Sequence, residues 1–210
     1  MREWKFIFVV QFKIVFMYMA TISEQQRRRL HPHKFALWIA MASILMMFAG
    51  FTSAYIVKRN DSNWLQFSLP PVFSFSTGVI ILSSLTIYLA GRSFKARNMV
   101  RYRVLITLTA ALGVLFVVLQ WLGFRYLQNH GVKLIGSGSN PSGSFLGVIT
   151  GVHMLHVVGG VIVLIVLFLR AFVGSRKTYS TVPIEMASTY WHFVDAIWIY
   201  LFIFFNIVSG

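Results

Sequence analysis

The fold is decided by long uncharged segments, of which residues 145–169 are the clearest example, reading FLGVITGVHMLHVVGGVIVLIVLFL. Arg170 follows immediately and marks a sharp end. A helix rises 1.5 Å per residue, so this segment is long enough to cross a hydrocarbon core of about 30 Å. We therefore predict a transmembrane helix here.

Four other segments have the same character. Residues 35–57, 72–91 and 104–124 contain no charged side chain, and residues 187–208 contain only Asp195. The prolines all fall between these segments, where a missing N–H costs no helical hydrogen bond; they are Pro32, Pro70, Pro71, Pro141 and Pro183. The sequence predicts an all-α protein, a polytopic membrane bundle of five transmembrane helices that occupies residues 35–209.

The composition supports a membrane protein and argues against several other classes. Of the 210 residues, 57% are hydrophobic and 11% charged, whereas soluble domains average about 25% charged. The net charge of +14 comes from short basic clusters between apolar runs, which is the pattern of membrane loops and not of nucleic-acid binding. The absence of cysteine excludes disulfides, thiolate metal sites and cysteine nucleophiles.

The basic residues also predict the orientation. Twelve lie on one side of the predicted bundle and four on the other, and the side richer in Lys and Arg is normally cytoplasmic. The twelve are Arg27, Arg28, Arg29, Lys34, Arg92, Lys95, Arg97, Arg101, Arg103, Arg170, Arg176 and Lys177; the four are Lys58, Arg59, Arg125 and Lys133. We predict a cytoplasmic N-terminus and an external C-terminus.

Two segments outside the spans have their own predictions. Residues 1–34 are expected to be a cytoplasmic or interfacial segment, because Gln11 and Lys13 interrupt its apolar part. Residues 1–22 form either an interfacial helix or an extension ahead of a true start at Met17 or Met19, in which case the mature protein lacks them. Residues 128–143 are rich in Gly, Ser and Asn and predict a flexible external loop.

Ionisable residues inside the spans are the candidate functional residues, since burying them in lipid is costly. His153 and His156 share one face of the fourth span, and Glu185, Ser188, His192 and Asp195 form a polar stripe on the fifth. The estimated depths allow, but do not require, a hydrogen bond between the histidine pair and Asp195. Small residues let helices approach closely, and the candidates are Gly50, Gly147, Gly151 and Gly160.

Three interpretations of these polar residues remain open from the spacing alone. They could be hydrogen-bonded between helices and fix the packing. They could relay protons, as His and Asp chains do in pumps. The third interpretation is haem or metal ligation by His153 or His156 together with His192.

Several motifs resemble subunit III of the haem–copper terminal oxidases. Residues 190–198, YWHFVDAIW, resemble its last helix, with Glu185 where the family also carries a glutamate. Residues 151–160, GVHMLHVVGG, resemble its histidine motif, and residues 48–51, FAGF, an earlier helix. The resemblance covers residues 35–208.

The resemblance implies a non-catalytic core subunit of a proton-translocating cytochrome c oxidase in the plasma membrane. Such a subunit has subunits I and II as partners, packs on subunit I, supports proton uptake and protects the active site during turnover. It implies no cofactor or metal in this chain, haem and copper in subunit I, copper in subunit II where cytochrome c is the donor, and phospholipid between helices. Nucleic acid is not an expected partner.

The resemblance also has departures and alternatives. The longer members have seven helices, so the five-helix bacterial form is the one implied here. Many members have a carboxylate six residues before the glycine of the FAGF run, where this chain has Ile44. The alternatives are subunit III of a quinol oxidase, a proton-coupled carrier that works alone and a free-standing membrane haem protein.

Overall fold

The computed structural model describes residues 32–59, 64, 69–132, 140–173 and 181–209 of the chain. These residues form five α-helices and no strand, as the sequence predicts. The helices are α1 (Pro32–Lys58), α2 (Pro71–Lys95), α3 (Met99–Asn129), α4 (Pro141–Val173) and α5 (Val182–Ser209). All five are long and apolar enough to span a membrane. Of the segment predicted at residues 1–34, residues 1–31 lie outside the described residues, and residues 32–34 belong to α1.

Proline and asparagine residues define several helix starts. Pro32, Pro71 and Pro141 are the first residues of α1, α2 and α4, where fixed φ favours the helix and no N–H is required. The Asn98 side chain caps α3 by accepting a hydrogen bond from the Arg101 backbone N–H at 3.1 Å. Residue Arg97 has a φ of 57°, and this left-handed conformation reverses the chain between α2 and α3.

The helices extend beyond the uncharged segments, and this shortens the predicted outer loop. Gln128 still belongs to α3, and Ser142 already belongs to α4, so both ends of the loop predicted at residues 128–143 are helical. Residues 133–139 lie outside the described residues. At the end of α3 the extension includes Arg125, whose long side chain keeps its charge at the interface while the backbone continues as a helix.

Within the compact unit Met41–Gly210, four helices pack as a closed ring. The neighbouring pairs are α2 with α3, α3 with α4, α4 with α5, and α5 with α2. The part of α1 in this unit lies against α4 and α5, where the Tyr55 ring meets Phe145 and Phe205. The Thr52 and Tyr200 hydroxyls form a hydrogen bond of 3.0 Å between α1 and α5. Of the unit Met1–Ala40, only residues 32–40 are described, and they are helical.

Candidate functional site

Trp191 of α5 lies at the centre of the four-helix ring and is 1% exposed. Its indole N–H donates a hydrogen bond of 3.1 Å to the Ser83 hydroxyl of α2. A Cβ atom at Gly160 of α4 would lie 2.8 Å from the indole ring, and one at Gly113 of α3 would lie 2.9 Å from it. Trp191 therefore touches all three other helices, and two glycines make room for it.

Trp198, seven residues later on the same face of α5, forms a second layer of the core. Its indole N–H donates to the Thr77 hydroxyl of α2 at 3.0 Å. Its ring stacks on His153 of α4 with centroids 5.3 Å apart, and it meets Phe116 of α3 edge-on at the same separation. The two tryptophans thus bind α2 through serine and threonine and fill the ring with apolar surface.

The histidine pair of α4 lies among aromatic rings. His153 is 1% exposed, and neither of its ring nitrogens has a hydrogen-bond partner among the described residues. His156 donates from Nδ1 to the carbonyl of Val152 in its own helix at 2.8 Å, and Tyr190 donates to the His156 carbonyl at 3.1 Å. Both imidazole rings contact Phe48 of α1, with centroids 6.1 and 6.0 Å apart.

Three members of the predicted polar stripe on α5 face α2. Glu185 forms an ion pair of 3.0 Å with Lys95 at the end of α2. His192 Nδ1 hydrogen-bonds to the Ser84 hydroxyl, and the Asp195 carboxyl, 2% exposed, lies beside Ser84. Since His153 faces Phe116 and Trp198, it makes no hydrogen bond to Asp195. The hydrogen bond that the estimated depths allowed, but did not require, is therefore not formed between His153 and Asp195.

The four predicted packing glycines differ in their surroundings. Gly160 lies directly against Trp191, whereas a Cβ atom at Gly50 or Gly151 would meet no described atom within 4 Å. Gly147 is partly exposed. No close helix contact in the described structure requires glycine at Gly50 or Gly151, because the neighbouring helix does not approach that side of the backbone.

Sequence reasoning missed the partners on α2 and α3. Ser83 and Thr77 accept the tryptophan hydrogen bonds, and buried Gln120 of α3 donates to Ser76 of α2 at 2.9 Å. A signal for these residues exists in the sequence, since Ser76 and Ser83 recur at a seven-residue interval within an uncharged span. That interval places small hydroxyl side chains on one helix face.

The polar side chains of the ring connect neighbouring helices through hydrogen bonds. Within the described ranges, no three His, Asp or Glu side chains group closely enough to hold a metal ion. His153 packs between rings of α1, α3 and α5, and His192 turns to α2. The polar atoms at Ser83, Thr77 and Ser84 instead connect helices by hydrogen bonds, which is the usual role of such groups within a membrane.

These observations define a class, the multi-pass helical membrane proteins whose helices are held together by aromatic packing and by hydrogen bonds between helices. A family model described as cytochrome c oxidase subunit III matches residues 39–209. The chain belongs to the cytochrome c oxidase subunit III family. It is a multi-pass protein of the bacterial plasma membrane, and the family implies a complex with other oxidase subunits.

Individual relatives agree with the family match. A probable cytochrome c oxidase subunit 3 of Nocardia farcinica is 30% identical over 78% of this chain and 82% of the relative. The corresponding protein of Mycobacterium tuberculosis (strain ATCC 25618 / H37Rv) is 32% identical over 77% and 81%. A cytochrome c oxidase subunit 3 of Corynebacterium diphtheriae is 28% identical over 79% and 82%. The match thus spans most of both chains.

Proposed function

We propose that the chain is a non-catalytic core subunit of a respiratory haem–copper oxidase, where it packs on subunit I and supports proton uptake and active-site stability. The observation that carries the proposal is the use of the YWHFVDAIW helix for packing. Trp191 and Trp198 fill the ring interior, Tyr190 donates to α4, and His192 bonds to α2. A helix whose aromatic side chains pack against three neighbouring helices suits a supporting subunit.

The redox centres belong, in this proposal, to the partner subunits. Haem and copper lie in subunit I, copper also lies in subunit II, and this chain holds none, with phospholipid as its expected bound molecule. The contacts of the three histidines support this assignment. His153 is enclosed by aromatic rings, His156 hydrogen-bonds to its own helix and His192 hydrogen-bonds to Ser84.

The proposed orientation has the N-terminus in the cytoplasm. The end of α2, the start of α3, the end of α4 and the start of α5 lie together, since Lys95 pairs with Glu185 and Arg103 donates to the Ala171 carbonyl at 2.9 Å. This end also carries exposed basic residues, which favours the cytoplasmic side; they are Arg92, Lys95, Arg97, Arg101, Arg103 and Arg170.

Cytochrome c is the proposed electron donor in preference to quinol. The relatives from Nocardia, Mycobacterium and Corynebacterium are all named as cytochrome c oxidase subunits.

The proton-uptake role does not use a carboxylate in α1, because Ile44 occupies the position where many members have one. Of the acids in the described part of the chain, Glu185, in the first turn of α5 and 30% exposed at its side chain, lies nearest the proposed proton-entry surface.

Removal of the chain tests the supporting role. Oxidase purified from cells that lack the chain is expected to start oxygen consumption with reduced cytochrome c at nearly the normal rate. It should then lose activity severalfold faster per turnover, because proton supply to the active site is impaired. The measurement is oxygen uptake over successive additions of reduced cytochrome c, normalised to haem.

The control is the same strain with the wild-type chain restored, which should regain the slow decay. An unchanged decay without the chain contradicts the supporting role. A complete loss of initial activity in enzyme that retains its haem contradicts the non-catalytic assignment.

A further inference from the structure

A groove opens on the outer face of the bundle between α2 and α5. It has a volume of about 440 Å³, far more than the roughly 30 Å³ occupied by one water molecule. Its rim includes Ile81, Leu85 and Tyr88, each about half exposed. Its floor is polar and contains Ser84, His192 and Asp195. An apolar rim around a polar floor indicates a place where something docks within the membrane.

Asp195 is the member of this floor that lacks a partner. It is 2% exposed, and neither carboxyl oxygen has a hydrogen-bond partner among the described residues. The Ser84 hydroxyl lies beside it and also hydrogen-bonds to His192 Nδ1. A serine has one hydroxyl proton to donate, so this residue alone cannot satisfy both oxygens of the carboxyl. A buried acid without a donor is costly.

The depth of Asp195 restricts what the missing partner is. Asp195 is the fourteenth of the 27 residues in the span Val182–Val208, about 20 Å from either end at 1.5 Å per residue. The middle of a hydrocarbon core is about 15 Å from the headgroups. Lipid headgroups therefore do not reach the floor, and lipid tails offer no hydrogen-bond donor.

We propose that the α2–α5 groove is the docking site for a transmembrane helix of a partner oxidase subunit, which brings a hydrogen-bond-donating side chain towards Asp195. The inference rests on the proposed function, since the family implies a complex with other oxidase subunits. The partner helix covers Ile81 and Leu85, and its donor completes the network of Ser84, His192 and Asp195. This docking buries the exposed apolar side chains of the groove and gives the Asp195 carboxyl a hydrogen-bond donor.

Filling the groove tests the proposal. Ala196 is exposed and lines the groove, so Ala196→Phe adds bulk there without entering the ring interior. From cells that express the tagged chain, the variant should recover about tenfold less haem per chain in mild detergent, a loss that corresponds to about 1.4 kcal/mol. The matched control is Ala111→Phe, at an exposed alanine of α3 away from the groove, which should recover haem as the wild type does.

The outcomes separate this inference from the proposed function. Haem recovery with Ala196→Phe that equals the wild-type value overturns the docking site and leaves the oxidase assignment standing. Absence of haem from the wild-type chain itself overturns the proposed function, and the docking site with it.

Photocrosslinking gives a second test that does not depend on the folding of Ala196→Phe. A photoreactive p-benzoylphenylalanine in place of Leu85 should form a covalent product with another oxidase subunit in the intact complex. The same substitution at Leu122, 51% exposed on α3, reports crosslinking by a leucine outside the groove. Mass spectrometry should locate the Leu85 product on a transmembrane segment that carries a donor side chain. Crosslinks from Leu85 to lipid only, or to a second copy of this chain only, overturn the proposal.

Discussion

Replacement of Trp191 by alanine is expected to lower the free energy of unfolding of the chain by about 3–5 kcal/mol, the range observed for truncation of large buried aromatic side chains. The indole is 1% exposed and contacts Gly113, Gly160 and Ser83 on three different helices. Its removal leaves a cavity at the point where all four helices meet. It also leaves the Ser83 hydroxyl without the indole donor. The measurement is a reversible SDS titration of the full chain in detergent micelles.

The matched control is Trp121→Ala. Trp121 is 66% exposed on α3, so its truncation removes the same side chain without opening a cavity in the ring. We expect Trp121→Ala to change the free energy of unfolding much less. Equal effects of the two substitutions would contradict the central position of Trp191.

Gly160→Ala is expected to destabilise the chain by about 1–3 kcal/mol, as overpacking of a filled core does. The new Cβ atom would lie 2.8 Å from two carbons of the Trp191 ring, which is held by the neighbouring helices and cannot withdraw as a flexible side chain would. The adjacent Gly159 is the control, since a Cβ atom there meets nothing within 4 Å. Both substitutions replace a glycine of α4 by alanine, so both gain about 1 kcal/mol in helix propensity and differ only in the contact with Trp191.

A double-mutant cycle identifies the contact responsible. In the Trp191→Ala background the ring is gone, so Gly160→Ala should lose most of its destabilising effect, and the two changes should be strongly non-additive. Additive effects, or a destabilisation by Gly159→Ala as large as that by Gly160→Ala, would contradict the close approach of Trp191 to α4.

The number and position of the helices were predictable because lipid imposes a simple rule. A segment must be largely uncharged for about twenty residues to cross the core. Four of the five helices contain a fully uncharged segment of this length, and in α5 only Asp195 interrupts it. The ends were less predictable. Arg103 and Arg125 lie inside α3, because long side chains bring their charges to the interface while the backbone stays helical.

The sequence predicted which side chains of the candidate site share one helix face, but it did not predict which side chains of other helices they contact. The spacing of Glu185, His192 and Asp195 places them on one side of α5, and three-dimensional packing turns that side to α2. The partner Ser84 depends on which helices are neighbours, and no periodicity within one helix contains that information. For the same reason, the enclosure of His153 between Phe116 and Trp198 appears only in the folded chain.

A seven-residue spacing of tryptophans and serines in the sequence indicated contacts between α5 and α2 that were not predicted from it. Trp191 and Trp198 repeat at this interval on α5, and Ser76 and Ser83 do so on α2. Ser83 accepts from Trp191, whereas Trp198 donates to Thr77, the residue that follows Ser76. The pairing of large donors with small acceptors is a pattern that could be sought in other membrane helices.

The most direct test of the oxidase assignment is purification of the tagged chain from its native membranes in mild detergent. The reduced-minus-oxidised absorbance spectrum, the partner bands and oxygen uptake with reduced cytochrome c are recorded on the same sample. We predict a haem spectrum, two larger partner subunits and oxygen uptake driven by cytochrome c. A single band without haem would contradict the assignment of this chain to an oxidase complex.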